Sequence, residues 1–234
     1  MAERTRADRI LRWRGGWARV RPWRGRADTA YLALSSDRVD RQVPTRCSEE
    51  LRDRGYTAVV TSALAPSEAL PFLDAGFVVR ERLDLMRHRM DSIPAPTRPT
   101  RRMRRADLPS ILLVDRLAFV DDWRLDADGF DDAVGATPTT RVRVARDADA
   151  LLGYAVTGRA GHRGYIQRVA IHPSAQRRGW GRSLVADALD WLARHGVTNT
   201  VVNTQVDNVA AHELYLACGF EPLPVGLCVL GREL

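Results

Sequence analysis

The spacing of apolar and polar positions changes period several times along the chain. Trp17–Pro22 and Thr29–Ser35 predict strands, Ser48–Arg54 a short helix and Thr57–Ser62 a buried strand. Ser92–Thr100 (SIPAPTRPT) then breaks the pattern with closely spaced prolines, which remove backbone donors and restrict the residue before each ring. Beyond it, Arg101–Arg105 predicts a short strand and Asp107–Phe119 a helix, with Asp107 as N-cap and Pro109 in the first turn. Thr140–Arg146 and Leu151–Thr157 predict a hairpin around Asp147-Ala148-Asp149, Gly158–Gly164 a glycine-rich turn, and Tyr165–Ile171 a further strand. From Gly179 the period becomes helical: Leu184, Ala188, Trp191 and Leu192 share one face, and Gly196 stands where the helix ends. A short strand at Thr200–Asn203, a helix at Asn208–Cys218 stopped by Gly219, and a strand at Gly226–Leu230 complete the series. Strands followed by crossover helices predict an α/β fold with a mixed sheet.

One pattern occurs twice. Gly55–Phe77 (GYTAVVTSALAPSEALPFLDAGF) and Gly196–Phe220 (GVTNTVVNTQVDNVAAHELYLACGF) both read as a helix-ending glycine, an apolar strand, a polar loop, a helix and Gly-Phe. A period of that kind predicts two copies of one supersecondary unit, one in each half.

Composition narrows the options. The 234 residues are 45% hydrophobic and 28% charged, an ordinary globular balance that supports a core without covalent staples. Three cysteines, Cys47, Cys218 and Cys228, cannot close a disulfide framework. The chain holds no stretch of the ~20 apolar residues that a membrane span needs, and its Arg-rich start has no signal-peptide h-region, so a soluble cytoplasmic protein is expected. All 36 basic residues are arginine, which excludes a lysine Schiff base or a Walker lysine. The charge is uneven: residues 1–100 carry 19 Arg against 13 acidic residues, 19 − 13 = +6 of the net +7. Such a half could attract nucleic acid or the ribosome, although solvated surface arginine is the expected reading; Trp13, Trp17 and Trp23 alternate with arginine there in a way that could grip phosphates and bases, but core and interface packing is what they are expected to serve.

The candidate chemistry lies in Val169–Ser183, VAIHPSAQRRGWGRS. A strand ends at Ile171, Pro173 blocks further pairing, and a polar loop leads through Gly179 and Gly181 into a helix start. Free N–H groups at the positive end of a helix dipole make an anion site suited to a diphosphate, with Gln176, Arg177, Arg178 and Arg182 around it. The third glycine of a Rossmann fingerprint would fall at Leu184, and the Lys-Ser/Thr pair of a Walker loop is missing. Among the histidines, His162 falls in the glycine-rich turn, and His172, His195 and His212 have no metal-ligand spacing, so no metal is expected.

Three motifs together resemble the GNAT (Gcn5-related N-acetyltransferase) superfamily over roughly Arg101–Leu234. Gln176-Arg177-Arg178-Gly179-Trp180-Gly181 matches its acyl-CoA signature, Gln/Arg-x-x-Gly-x-Gly/Ala; Val169, Ile171 and Pro173 match its Val-x-Ile/Val-x-Pro strand. Asn208, Ala211, Leu214, Tyr215, Gly219 and Phe220 match its N-x-x-A-x-x-L-Y-x-x-x-G-F helix. The resemblance implies acetyl-CoA as co-substrate and transfer to an amine by direct attack. It implies that Val169, Ala170 and Ile171 offer backbone groups to the pantetheine arm, that the N–H groups from Arg177 to Arg182 hold the pyrophosphate, that Asn208 bonds the arm, and that Tyr215 protonates the leaving thiolate. Members that acetylate protein N-termini commonly place Glu on the strand before the Asn helix; here Asn203 stands five residues before Asn208 and cannot act as a base. Asp121 and Asp122 lie in the segment that usually walls the acceptor.

The first half is expected to be a partial copy. Phe72 aligns with Tyr215 and lacks the hydroxyl, and no Gln-x-x-Gly-x-Gly sequence lies between Asp37 and Gly55. The expected organisation is a degenerate GNAT-like domain over 1–95 and a catalytic domain over 96–234. Two functions stay open: an N-acetyltransferase for a small-molecule, peptide or protein amine, or a non-catalytic acyl-CoA-sensing module with an Arg-rich nucleic-acid or ribosome surface. Nothing in the sequence identifies the acceptor or the oligomeric state.

Overall fold

The computed structural model describes residues 10–35, 39–148 and 150–234, with the backbone alone at Ser35 and Asp121. The chain forms two compact units, Met1–Asp84 with Pro224–Leu234, and Leu85–Leu223.

In the first unit, β1 (Ile10–Trp13), β2 (Gly16–Trp23) and β3 (Arg26–Ser35) form an antiparallel meander. Helix α1 (Val43–Asp53) then crosses over to β4 (Ala58–Thr61), which runs parallel to β3. Helix α2 (Pro66–Asp74) leads into β5 (Val78–His88), and the last strand of the chain, β12 (Leu227–Glu233), lies antiparallel to both β4 and β5. Leu32, Leu51, Val59, Phe72 and Leu230 are fully buried in its core. Trp23 is buried there, with its ring centroid 5.2 Å from that of Tyr31, and Trp13 packs partly against the core.

The second unit begins within β5. Strand β6 (Thr100–Arg102) and helices α3 (Leu108–Ala118) and α4 (Ala127–Gly135) precede β7 (Thr139–Asp147), β8 (Ala150–Ala160) and β9 (Arg163–Ile171). Helix α5 (Trp180–Arg194), β10 (Asn199–Gln205), α6 (Val209–Ala217) and the short β11 (Glu221–Pro222) follow. Strands β6 to β9 are antiparallel neighbours, whereas β10 returns parallel to β9 through α5. The sheet separates two cores: Ile111 and Val114 of α3 pack with Tyr154, Val156 and Ala170, while Val185 and Leu189 of α5 pack with Ile166, Val202 and Tyr215. Among the described residues no helix is long and apolar enough to cross a membrane.

The two repeated segments close in the same way. Phe77 N donates to Phe72 O, and Phe220 N donates to Tyr215 O, each at 3.0 Å. Gly76 and Gly219, at φ +84° and +89°, make the left-handed turns that allow this. The aromatic pairs Phe72–Phe77 and Tyr215–Phe220 have centroid separations of 5.0 and 5.5 Å.

Several local expectations change. Asp107 does not cap α3 through its side chain. Its carboxylate instead accepts from Arg104 N at 2.7 Å and holds both terminal nitrogens of Arg101 at 2.7 Å, which leaves it closing the turn before the helix. The expected turn Gly158–Gly164 is mostly strand: β8 runs to Ala160 and β9 starts at Arg163, with Gly161 alone at positive φ. Helix α1 starts before Ser48, at Val43. Strand β5 escapes a hydrophobic reading because Arg80, Glu81, Arg82 and Asp84 interrupt it. Contacts divide the chain at Asp84/Leu85, inside β5 and ahead of the proline-rich stretch, and join the last strand to the first unit. Residues 1–9 of the basic N-terminal segment lie outside the described residues.

Hydrogen bonding to Arg101 holds the Asp107 carboxyl at about 2, below its ordinary 3.8. A depressed carboxyl contributes stability above its unfolded pKa and loses it as pH falls through the folded value. Asp107→Asn is therefore expected to lower the unfolding midpoint at pH 7, with the gap to the parent closing as pH falls from about 4 to about 2. Thermal melts across that range check this; a gap independent of pH would refute it.

Candidate active site

The site grows from one topological fact. Strands β9 and β10 pair in register only from Arg163↔Asn199 to Ile166↔Val202. Strand β9 nevertheless continues to Ile171 and β10 to Gln205, so the two part and leave one backbone edge of β9 without a β10 partner. A bulge marks the place: Val156 of β8 pairs with Arg168 and Thr157 with Ile166, so Gln167 is the extra residue. An unpaired strand edge is a template for an extended, amide-bearing guest.

Past Ile171 the chain turns into α5. Gln176 Nε2 donates back to Ile171 O at 3.2 Å and ties the loop to the strand end. Arg177 (φ +61°) and Gly179 (φ +83°) both adopt the left-handed conformation. Such reversals aim successive N–H groups at one concavity, the form of an anion nest. Ser183 N is bonded to Gly179 O at 3.1 Å, so the N–H groups of Trp180, Gly181 and Arg182 precede the first intrahelical bond and point out of the helix end. At Gly181 a Cβ would stand 3.2 Å from Leu214 Cδ2, which explains why glycine suits the approach of α5 to α6. Trp180 contributes backbone only, because its side chain is buried with Ala145, Ala155, Ala175 and Leu184.

Of the arginines around the nest, Arg177 pairs with Glu213 of α6 at 2.7 Å. Arg178 and Arg182 are exposed, and Arg98, from the proline-rich stretch, donates from Nε to Arg178 O at 2.7 Å and lies over the Trp180 ring at 4.8 Å. That stretch is pinned to α5 by Ser183 Oγ, which accepts from Thr97 N at 3.1 Å and Arg98 N at 3.0 Å. Arg98 and Ser183 lie within stretches the sequence marks, Ser92–Thr100 and Val169–Ser183, but neither belongs to a family motif and nothing in the sequence pairs them.

Asn208 caps α6, its Oδ1 accepting from Ala211 N at 3.1 Å, which leaves its amide nitrogen to donate elsewhere. Tyr215 packs with Ile166 and Val202, the last paired residues before the strands part. Burial pushes its hydroxyl pKa well up, and the nearby Arg168 charge opposes that rise. Val169, Ile171, Gln176–Arg182, Asn208 and Tyr215 thus all border the parted strands or the nest. The Ala170 side chain points away, into the α3 core, so only its backbone is available. Asn203 is exposed on β10, Asp122 is half-buried, and the side chain of Asp121 lies outside the described atoms. His162 is exposed, with Nδ1 3.0 Å from Gly196 O. Among the described residues no three His, Cys, Asp or Glu side chains gather as a metal site.

Two functional candidates escape motif reading. Asp115 is fully buried on α3, and Arg168, on β9, binds it through two nitrogens at 2.8 and 2.9 Å. An acidic residue four positions after Ile111, on the apolar face of a helix, is the signal that could have found the pair.

The comparisons agree with this geometry. Residues 108–220 match the model of the Acetyltransferase (GNAT) family. This segment is a GNAT acetyltransferase-family domain. A mycothiol acetyltransferase of Renibacterium salmoninarum is 31% identical over 46% of this chain and 30% of its own length. An N-alpha-acetyltransferase RimI of Mycobacterium tuberculosis is 37% identical over 37% of this chain and 55% of its own. The matches thus span less than two thirds of these relatives. A solved tandem GNAT protein from the clavulanic acid biosynthesis pathway superposes with a TM-score of 0.66 at 18% identity, over 93% of this chain and 78% of that one. At that identity the likeness establishes the fold: mixed α/β of GNAT type.

The tight α5–α6 approach yields a test free of any ligand. Gly181→Val places branched carbons against Leu214 and is expected to cost about 1–3 kcal/mol of stability. Urea unfolding measures it; an unchanged midpoint would mean the helices are not in contact there.

Proposed function

We propose that this protein is an acetyl-CoA-dependent N-acetyltransferase with one active site, in the second unit, acting on a small-molecule primary amine. The observation that carries this reading is the β9 edge parted from β10, running from a left-handed N–H nest at one end to a buried tyrosine at the other. The residues fit the co-substrate: the nest and Arg178 and Arg182 suit a diphosphate, the Val169–Ile171 backbone suits the amides of a pantetheine arm, and the Asn208 amide nitrogen is available to it.

Acetyl-CoA, when bound, supplies the acetyl group as a thioester. Packed against Ile166 and Val202, Tyr215 is held protonated by burial. In the transfer, the amine nitrogen bonds to the acetyl carbon, the carbon–sulfur bond breaks, and Tyr215 gives its proton to the departing thiolate. The amine loses one proton to Asp122 or to water. Several relatives are named mycothiol acetyltransferase, and Asn203 stands where a glutamate base would serve N-terminal acetylation, both of which favour the small-molecule acceptor.

On this reading the first unit is a degenerate copy. Its β3–α1–β4–α2 order parallels β9–α5–β10–α6, but Pro44 lies in the first turn of α1 and Phe72 replaces the tyrosine, so among the described residues this reading assigns it neither nest nor acid. The sequence boundary falls at 95/96, whereas the contacts assign residues 85–95 to the second unit and Pro224–Leu234 to the first.

Isothermal titration with acetyl-CoA is expected to give saturable binding competed by CoA, and absence of heat would overturn the proposal. Arg178→Glu with Gly179→Asp is expected to weaken that binding at least about tenfold. With glucosamine, spermidine and an alanyl peptide as acceptors, Tyr215→Phe is expected to cut turnover by about 100-fold while acetyl-CoA affinity holds; full turnover would remove Tyr215 from the acid role.

A further inference from the structure

The buried pair Asp115–Arg168 does more than fill a core. Asp115 Oδ2 also accepts from the Tyr154 hydroxyl at 2.5 Å, and Oδ1 accepts from Leu125 N at 2.7 Å. The Arg168 guanidinium donates to Trp123 O at 2.6 Å and lies 3.4 Å from the centroid of the Phe119 ring. Arg124 Nε donates to Phe119 O at 3.0 Å. Every one of these bonds reaches the segment joining α3 to α4 or anchors a group that does. The segment has little apolar anchorage of its own: Phe119 packs partly against the α3 core, while Val120 is 70% exposed and Asp122 and Trp123 are half-buried.

Arg168 occupies a particular place on β9. It follows the bulged Gln167, at the point where β9 has left β10, and its neighbour Val169 packs on the opposite side of the sheet against α5. Arg168 therefore grips the 119–125 segment on one face of the strand while the next residue lines the parted edge. A guanidinium suits this task because its rigid planar fork holds the carboxylate through two nitrogens while also donating to the Trp123 carbonyl, a fixed geometry that a rotatable ammonium does not impose.

We propose that Arg168 is a positioning residue for acetyl transfer, clamping the 119–125 segment into place as the wall against which the acceptor amine docks. The clamp itself stands on the geometry above; that the wall faces an acceptor rests on the acetyl-transfer reading.

The test separates clamp from reaction. Arg168→Met and Arg168→Lys are compared with Asp187→Asn, which breaks a half-buried pair with Arg141 and Arg143 elsewhere in the same unit. Amide hydrogen exchange, read whether or not turnover is detected, is expected to speed at least tenfold at residues 119–125 in Arg168→Met and not in Asp187→Asn. With glucosamine, spermidine or the alanyl peptide, whichever the parent acetylates, acceptor KM is expected to rise at least tenfold in Arg168→Met, with acetyl-CoA affinity within about twofold. Arg168→Lys is expected to recover part of that loss. Unchanged exchange at 119–125 overturns the clamp. Faster exchange with unchanged acceptor KM, or with equal loss of acetyl-CoA affinity, overturns its role in acceptor docking. A parent that binds no acetyl-CoA overturns the acetyl-transfer reading and acceptor docking with it, while exchange still decides the clamp.

Discussion

The separation of β9 from β10 after Ile166 and Val202 is the constraint on which the second unit is arranged. Parallel strands joined by a helix ordinarily stay paired along their length, because an unpaired buried backbone group costs about as much as a lost hydrogen bond. Here the bulge at Gln167 turns β9 aside, and the freed edge leads directly into the loop that opens α5. Tyr215 of α6 packs with the last paired residues, Ile166 and Val202. The nest, the edge and the tyrosine are three consequences of one departure from sheet regularity.

Strand β9 also has two faces with different duties. Arg168 and Ala170 turn toward α3, Val169 and Ile171 toward α5. The α3 face is polar at its centre, where a buried carboxylate, a tyrosine hydroxyl, a guanidinium and backbone groups satisfy one another. Such a network adds little net stability over an apolar core, yet it specifies one arrangement, since breaking any member strands a buried charge. On the proposed reading that specificity is spent on the segment the acceptor meets.

Among its described residues the first unit repeats the strand–helix–strand–helix order and the Gly-Phe closure, and on the proposed reading it is a copy without an anion site or an acid. Pro44 removes a donor where the second unit has free N–H groups, and Phe72 buries a ring where Tyr215 buries a hydroxyl. Its arginines are engaged locally in part: Arg21 lies over Tyr31 at 4.6 Å and Arg24 over Trp23 at 4.3 Å, as guanidinium–ring contacts.

The sequence by itself determined the mixed α/β class, the doubled strand–helix unit and the residues of the nest, because these depend on periodicity, on glycine and proline, and on short spacings that act locally. The places of Asn208 at the start of α6 and Tyr215 within it were legible for the same reason, since each sits at a helix position a motif defines. It left undetermined what depends on partners distant along the chain. Asp107 was expected to cap a helix, and Arg101 drew it into an ion pair instead; the charged β5 became a strand through its pairing with β12 and β11, which lie far off along the chain. The meeting of Asp115 with Arg168, the anchoring of Thr97 and Arg98 on Ser183, and the parting of β9 from β10 were decided by tertiary structure, since a hydrogen bond across such separations leaves no period in the sequence that forms it.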